Sequence, residues 1–192
     1  METLEAIAAR RSVRKFTDRP ITEETVNAVL AAAILAPSGK NRQPWRFVVV
    51  AGGEKRAQMI RVMREGIVDT KARGMDTGSA IMTARVMEHA PVTIFVFNPQ
   101  GVHPWASHSL AQTLMETVDT QSIGAAIQNM LLAAQAIGLG TLWMCDVWSA
   151  YQQLEEWLGE SGELVAAVAL GYPDEQPTAR PRCPLSEVVR WF

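Results

Sequence analysis

The chain has 192 residues, enough for one domain with its own core. Hydrophobic residues make up 48% and charged residues 20%, a balance typical of a globular protein and not of a disordered chain. The formal net charge of −2 argues against general nucleic-acid binding, for which a basic excess is expected. Two cysteines make no disulfide framework, and no run of about 18 apolar residues would span a membrane. We therefore expect a protein of the cytoplasm, a reducing compartment.

The N-terminal third predicts two helices and a strand. Residues 3–11 form a short helix and residues 22–36 a longer one, because apolar side chains recur every three or four positions. Thr22 is a suitable N-cap for the second helix, which Pro37 ends. The run WRFVVVAG at residues 45–52 is typical of a strand closed by glycines.

The middle of the chain alternates between patterned and unpatterned stretches. Residues 54–66 predict a helix, whereas residues 67–80 are polar and contain glycines, which predicts an irregular segment. The β-branched run PVTIFVF at residues 91–97 predicts a buried strand. Residues 98–118 are only weakly patterned and predict an insert.

The C-terminal third contains the longest apolar segment. Residues 121–138 predict a helix that is apolar nearly all round, and such a helix is buried on all sides, within a domain or at a subunit interface. A short strand or turn at 141–147, a helix at 148–158 and a buried strand at 164–173 follow. The proline-rich tail, residues 173–192, predicts an extended arm.

Helices and strands interleave without the strict rhythm of a doubly wound fold. No G-x-G-x-x-G sequence follows the first strand, and no phosphate loop of the Walker type is present. The chain therefore predicts a single α+β domain over residues 1–192.

The segment RRSVRKF places four cations within residues 10–15. Arg10, Arg11 and Arg14 can converge on one anion if the chain leaves its helix there, with Ser12 as a further donor. Guanidinium groups suit phosphate oxygens because they offer planar, bidentate donors. The alternative is a solvated helix end, where cations are favoured by the helix dipole.

The loop APSGKNRQPW is rich in hydrogen-bonding groups. Ser38, Asn41 and Gln43 can read the edge of a planar heterocycle, or they can satisfy the backbone groups of a turn. Trp45 begins an apolar strand and is expected in the core.

The sequence GLGTLWMCD, residues 138–146, follows the long apolar helix. Its glycines permit close approach of the backbone to a flat ligand, or form a simple helix cap and turn. Cys145 has no histidine near it in sequence, so we expect no nucleophilic role. In the tail, Arg180 and Arg182 alternate and point to one side of an extended segment, which suits a second contact to an anion or an exposed tail.

The three histidines do not predict a metal site. His103 and His108 lie five residues apart, and His89 is distant from both. No third and fourth ligand stands at a suitable spacing. We therefore expect no bound metal.

Four segments in this order resemble the nitroreductase family of FMN-dependent oxidoreductases. They are RRSVRKF, APSGKNRQPWRF, AAIQNMLLAAQAIGLGTLWM and RPRCPLSEVVRW. The resemblance covers nearly the whole chain. It implies an α+β sandwich with a central, mostly antiparallel sheet flanked by helices, built as an intertwined homodimer. Two FMN molecules would lie at the dimer interface, each touched by both subunits.

The resemblance also implies roles for particular residues. One subunit would supply contacts to the phosphate and ribityl chain, the partner subunit would reach the flavin through its loop, and a third segment would run along the isoalloxazine. Cys145 and Asp146 stand where better-studied members have a Glu-Gly pair. The implied FMN-binding residues are Arg10, Arg11, Ser12, Arg14, Pro37, Ser38, Asn41, Gln43, Trp143, Met144, Cys145, Arg180 and Arg182.

The activity implied is ping-pong hydride transfer. NADH or NADPH would reduce flavin N5 and depart, and a nitroaromatic, quinone or other electron-poor acceptor would then take its place, with no side chain as catalytic nucleophile. Two alternatives stay open. The chain could be a specialised member, such as an ene or quinone reductase, a dehalogenase or a flavin-consuming enzyme, or a flavin-binding protein without turnover.

Overall fold

The computed structural model describes residues 2–192 and contains one antiparallel sheet. Its strand order is β1-β2-β4-β3, so β1 and β3 lie at opposite edges. Every neighbouring pair is antiparallel. With helices on both faces, the predicted α+β sandwich is confirmed. The strands are β1 (Arg46–Ala51), β2 (Val92–Asn98), β3 (Gly140–Met144) and β4 (Glu163–Gly171).

Helices cover both faces of the sheet and enclose two apolar layers. One layer packs under α3, α4 and α6, and the other lies under α2 and α5. None of the helices within residues 2–192 has the length and apolar character needed to cross a membrane. The helices are α1 (Thr3–Ala9), α2 (Glu23–Ala33), α3 (Gly53–Ala72), α4 (Ala80–His89), α5 (Leu110–Ala136), α6 (Tyr151–Leu158) and α7 (Leu185–Val188).

The central strands β2 and β4 are apolar on both faces because both faces are covered. In β2, Phe95 and Phe97 enter one layer, while Ile94 and Val96 enter the other, and all four are fully buried. Successive side chains of a strand point to opposite faces, so a continuous apolar run fills both layers at once. Trp45 is partly buried against the layer under α2 and α5, in line with its expected place in the core.

Two helices are longer than the sequence predicts. The helix predicted at residues 54–66 continues to Ala72, because Ile67 buries its side chain in the core. The weakly patterned insert, residues 98–118, ends at Ser109, which caps α5. The Ser109 hydroxyl accepts a hydrogen bond from the Gln112 amide, so residues 110–118 belong to the long helix.

Helix α4 has no counterpart in the sequence prediction. Ala80, Ala84 and Met87 recur at helical spacing and are buried against the sheet. Short alanine and threonine side chains weaken the apolar pattern of this helix. Its buried face can therefore be recognised only from its packing against the sheet. Of the segment predicted to be irregular, residues 67–80, only residues 73–79 are so, because residues 67–72 belong to α3 and Ala80 begins α4.

One face of α5 is not covered within the protomer. Leu110, Leu114 and Val118 are 75%, 60% and 37% exposed, although Ile123 and Ile127 on the opposite face are fully buried. The C-terminal arm is extended from Pro173 apart from one helical turn, and residues 179–192 are all exposed. Within the predicted span, residues 121–138, Ile137 is 51% exposed and Leu132 is only partly buried, so burial on all sides within this chain is incomplete and the alternative of a subunit interface stays open.

We predict that Gly66→Ala destabilises the fold. A Cβ at Gly66 would overlap the Cα and Cβ of Ala150, where α3 crosses the turn before α6. The backbone must shift to relieve this overlap, so the free energy of unfolding should fall by about 1–3 kcal/mol.

The matched control is Gly53→Ala at the start of the same helix, where a Cβ meets no atom within 4 Å. Urea unfolding of both variants checks the prediction. Equal stabilities would show that α3 can move away from Ala150 without cost.

Candidate functional site

Five arginines and a serine surround one surface cleft of about 150 Å³. Three of the arginines follow α1 and two come from the C-terminal arm. No carboxylate lines the cleft, and no ion pair within residues 2–192 includes any of these arginines. Such a donor set suits a multiply charged anion such as a phosphate. The polar lining is Arg10, Arg11, Ser12, Arg14, Thr178, Arg180 and Arg182.

Backbone pairing brings the two ends of the chain together at this cleft. The Val13 N–H donates to the Thr141 carbonyl at 2.9 Å, which places the arginine segment along the free edge of β3. Further along, the Asp174 N–H donates to the Lys15 carbonyl at 2.9 Å. The arm therefore starts beside the arginine segment, and its own arginines reach the same cleft.

Burial and neighbouring positive charges both disfavour the charged form of Arg10. Burial lowers the pKa of Arg10, and the charges of Arg182 and Arg11 lower it further. An anion in the cleft would offset both the desolvation and the mutual repulsion. The cleft is thus built to be more stable with an anion than without one.

The loop from Ser38 to Gln43 has a strained backbone. Lys40, Asn41 and Gln43 have φ values of 53°, 55° and 48°, in the left-handed region that non-glycine residues rarely adopt. The Ser38 hydroxyl accepts a hydrogen bond from the Gln43 amide at 3.0 Å, as in an ordinary turn. The side chains of Asn41 and Gln43 are exposed and contact each other, at 3.3 Å.

An ion pair with α5 holds this loop. The Arg42 guanidinium donates from Nε and Nη2 to the two carboxylate oxygens of Asp119, each at 3.0 Å. The hydrogen bond to Asp119 raises the pKa of Arg42. One turn further along α5, the Ser122 hydroxyl accepts a hydrogen bond from the Gly39 amide at 3.3 Å. These contacts fix a conformation that the loop sequence alone does not favour.

The end of β3 exposes mainly backbone and two side chains. Met144 is buried, whereas Trp143 and Cys145 are exposed. Desolvation by partial burial raises the pKa of Cys145, and the negative charge of Asp146 adds to this shift. The Cys145 thiol therefore stays protonated near neutral pH.

Asp146 ties α4 to the end of β3. Its carboxylate accepts hydrogen bonds from the hydroxyl groups of Ser79 and Thr83, the latter at 3.2 Å. Ser79 is the N-cap residue of α4, so this carboxylate lies at the positive end of the helix. The contact fixes the segment that precedes α4 beside Cys145.

The predicted site residues fall into two groups in the protomer. The arginine cleft lies at the β3 edge of the sheet, and the loop from Ser38 to Gln43 precedes β1 at the other edge. With strands about 4.8 Å apart, three spacings separate these edges by roughly 14 Å. No hydrogen bond within residues 2–192 joins the loop to the cleft.

Comparison with known proteins identifies the class. The family described as the nitroreductase family matches residues 7–172. The chain therefore belongs to the nitroreductase family, and the predicted membership is confirmed.

Three relatives illustrate the range of similarity. The chain is 30% identical to an NADPH-flavin oxidoreductase of Vibrio harveyi, over 97% of this chain and 72% of the relative. It is 34% identical to a 5,6-dimethylbenzimidazole synthase of Rhodospirillum rubrum, over 87% of this chain and 80% of the relative. A protein of Desulfovibrio desulfuricans, solved in complex with FMN, superposes with a TM-score of 0.74 at 31% identity, covering 98% and 95% of the two chains.

Several residues that shape this region were missed by the sequence prediction. Asp119 and Asp146 position the loop and α4 through the contacts above, and Glu175 accepts hydrogen bonds from the backbone amides of Arg14 and Lys15. The sequence offered one signal, because Asp119 is an acid only four residues before Ile123, where the apolar part of the helix begins. The other contacts join residues distant in sequence, so no local pattern indicates them.

We predict that Arg42→Met loosens the loop. Without the guanidinium, the buried Asp119 carboxylate loses its partner and the left-handed residues lose their restraint. The amides of Asn41 and Gln43 should exchange hydrogen faster by about tenfold or more, since hydrogen bonds to charged groups are the stronger kind. Native-state hydrogen exchange measures this.

Arg46→Met serves as the control, because Arg46 pairs with Glu160 at a more exposed position. It should leave exchange at Asn41 and Gln43 unchanged. If Arg42→Met also leaves exchange unchanged, the ion pair does not hold the loop.

Proposed function

We propose that residues 1–192 form a single FMN-binding domain that oxidises NADH or NADPH and reduces a nitroaromatic, quinone or similar electron-poor acceptor. Turnover is ping-pong, with the reductant leaving before the acceptor binds. Family membership supports the class of reaction. The cytoplasm is the proposed compartment, since Cys145 and Cys183 are both unpaired.

One observation carries the proposal: the arginine segment pairs with β3, the strand whose far end carries Trp143 and Cys145. Ser12 pairs with Thr141, and Cys145 lies four residues further along the same edge. At about 3.3 Å per residue, this separation is roughly 13 Å. A ligand with a phosphate at one end and a flat ring at the other matches this arrangement.

The residues present fit FMN. Five guanidinium groups without a carboxylate match the phosphate, and Ser12 adds a hydroxyl donor. The exposed edge of β3 at Trp143–Cys145 offers backbone groups, because Met144 turns its side chain into the core. Asn41 and Gln43 carry amide groups that suit the polar edge of a heterocycle.

When bound, FMN supplies the hydride chemistry, so the chain has to bind, orient and shield it. The arginines of the cleft neutralise the phosphate and fix the ligand along β3. Cys145 stays protonated and acts through its backbone. Asp146 holds Ser79 and Thr83, and with them the start of α4, as one wall of the space beside Cys145.

We propose that the enzyme is an intertwined homodimer in which each FMN is shared. The loop and the cleft lie at opposite sheet edges of one protomer, and no hydrogen bond within residues 2–192 joins them, which supports a loop supplied by the partner chain. Apolar surface is available for the interface on α5, where Leu114 is 60% exposed. The arm offers more, with Trp191 and Phe192 at 92% and 107%. Large exposed apolar side chains on both elements support an interface there.

The anaerobic reaction with NADH or NADPH tests the function. Purified holoprotein should be yellow, should bleach on addition of one of the two, and should regain its colour with a quinone or nitroaromatic. Arg10→Gln should weaken FMN binding roughly 10- to 100-fold, because it removes a charge-assisted contact. Arg61→Gln, an exposed position on α3, is the control and should bind FMN normally.

Two outcomes would refute this function. Colourless protein that takes up no added FMN excludes the FMN site. Protein that binds FMN and keeps its colour with both reductants is a flavin-binding protein without turnover.

Subunit mixing tests the shared site. Arg10→Glu and Asn41→Asp should each lower FMN retention in homodimers. In a dimer of one chain of each kind, one site has an intact cleft and an intact loop, whereas the other site has both changes. Differently tagged chains, purified together, should therefore regain about half of the FMN of the unaltered dimer. No recovery would mean that cleft and loop serve the flavin from the same chain.

A specialised activity is the second candidate. The similarity to the 5,6-dimethylbenzimidazole synthase of Rhodospirillum rubrum supports a specialised activity for this chain. An acceptor panel, together with recovery of intact FMN after turnover, distinguishes the two. Comparable turnover of several acceptors with full FMN recovery supports the general reductase, whereas loss of FMN supports a flavin-consuming enzyme.

A further inference from the structure

A second cleft, lined by aromatic rings, opens beside α3 and α6 and takes no part in the site described above. Its volume is about 180 Å³. An apolar cavity of about 150 Å³ is enough to hold benzene, so this cleft accommodates one aromatic ring system. The rings around it are His103, Trp105, Trp148 and Tyr151.

Three of the rings support one another. Tyr151 lies edge-on to both His103 and Trp105, with centroids 4.6 Å and 5.4 Å away. The Tyr151 hydroxyl is fixed by the Gly162 carbonyl and the Leu164 amide at 2.8 Å and 2.9 Å. Trp105 is nevertheless 57% exposed and Trp148 37% exposed. Two large indole surfaces thus face solvent, and Trp105 rests against the fixed Tyr151 ring, an arrangement on which planar ligands stack.

The polar lining offers hydrogen-bond acceptors at the same cleft. The Asp69 carboxylate accepts one hydrogen bond, from Gln153 at 2.8 Å through Oδ2, and Oδ1 accepts none within residues 2–192. Gln152 donates its amide to Glu156, which leaves its Oε1 as an acceptor. Two acceptors beside a stacking surface match the exocyclic amine of a purine.

Arg73 supplies the positive charge. It lies at the C-terminal end of α3, is exposed, and its side chain makes no ion pair or hydrogen bond within residues 2–192. A guanidinium at the rim of the cleft suits a phosphate attached to the bound ring. An amine-bearing aromatic ring with a phosphate is therefore the chemistry that this cleft fits.

The cleft adjoins the end of β3. The Trp148 amide donates to the Cys145 carbonyl at 3.4 Å, so this indole lies one turn beyond the proposed flavin surface. The segment that carries Arg73 also reaches Asp146, through Ser79. A dinucleotide that reacts beside Cys145 can extend its far end toward this cleft.

We propose that this aromatic cleft binds the adenine nucleotide end of NADH or NADPH, with the adenine on Trp105 and Trp148 and a phosphate on Arg73. The inference rests on the proposed function, because NAD(P)H is the ligand that this function supplies. It assigns a binding site for the reductant to residues outside the flavin surface.

Calorimetric titration of the purified holoprotein with adenosine 2′,5′-bisphosphate tests the site. One molecule should bind per chain, and nicotinamide mononucleotide should not compete because it has no adenine. Trp105→Ala should weaken binding roughly 5- to 100-fold, since base–aromatic stacking contributes this much on alanine substitution. Trp105→Phe should retain most of the affinity. Absence of binding, or equal binding by Trp105→Ala, overturns the proposal.

Arg73→Ala should also weaken binding, whereas Arg61→Ala on the same helix should not. In steady-state assays Trp105→Ala should raise the KM for NADPH at unchanged kcat, the sign of lost uniform binding. An unchanged KM together with weakened bisphosphate binding would mean a site for free nucleotides and would overturn the assignment to the reductant.

Bleaching by NADPH and binding of the bisphosphate test the function and the adenine site separately. Holoprotein that bleaches with NADPH but binds no bisphosphate retains the function and loses the adenine site. Holoprotein that does not bleach loses the function whatever it binds.

Discussion

The hydrogen bond from the Val13 amide to the Thr141 carbonyl is the contact on which the candidate site depends. It lays the arginine segment along the free edge of β3, and the pairing of Phe16 with Pro173 then brings the arm to the same place. Neither the arginines that follow α1 nor those of the arm carry enough positive charge alone to hold a multiply charged anion. Pairing at one sheet edge turns two ordinary basic segments into a cleft with five guanidinium groups.

The arginine cleft and the loop from Ser38 to Gln43 share one property, which is that both are costly in the unliganded protein. In the cleft, burial and then the neighbouring like charges lower the pKa of Arg10, and the loop holds three non-glycine residues at positive φ. Both arrangements raise the free energy of the unliganded protein and are maintained by the surrounding fold. An anionic group on a ligand would offset the repulsion among the arginines of the cleft. A planar polar edge on the same ligand would be contacted by the strained loop.

Sequence patterns predicted the sheet and most helices because β2 and β4 are continuous apolar runs, and because α2 has helical periodicity and a clear start signal in the Thr22 cap. They failed for α4, whose small side chains form a recognisable face only in contact with the sheet. The arginine groups were visible as motifs. Their convergence was not, nor were the contacts of Asp119 and Asp146, because these join residues more than 60 positions apart.

The division of the arginine cleft between the two ends of the chain has a consequence for synthesis. Arg180 follows Arg14 by 166 residues, so the two groups of arginines leave the ribosome at different times. At about 5–20 residues per second, some 10–30 s pass between these events. A nascent chain therefore holds only three of the five arginines until the arm is synthesised, so the full anion-binding cleft forms only after that point.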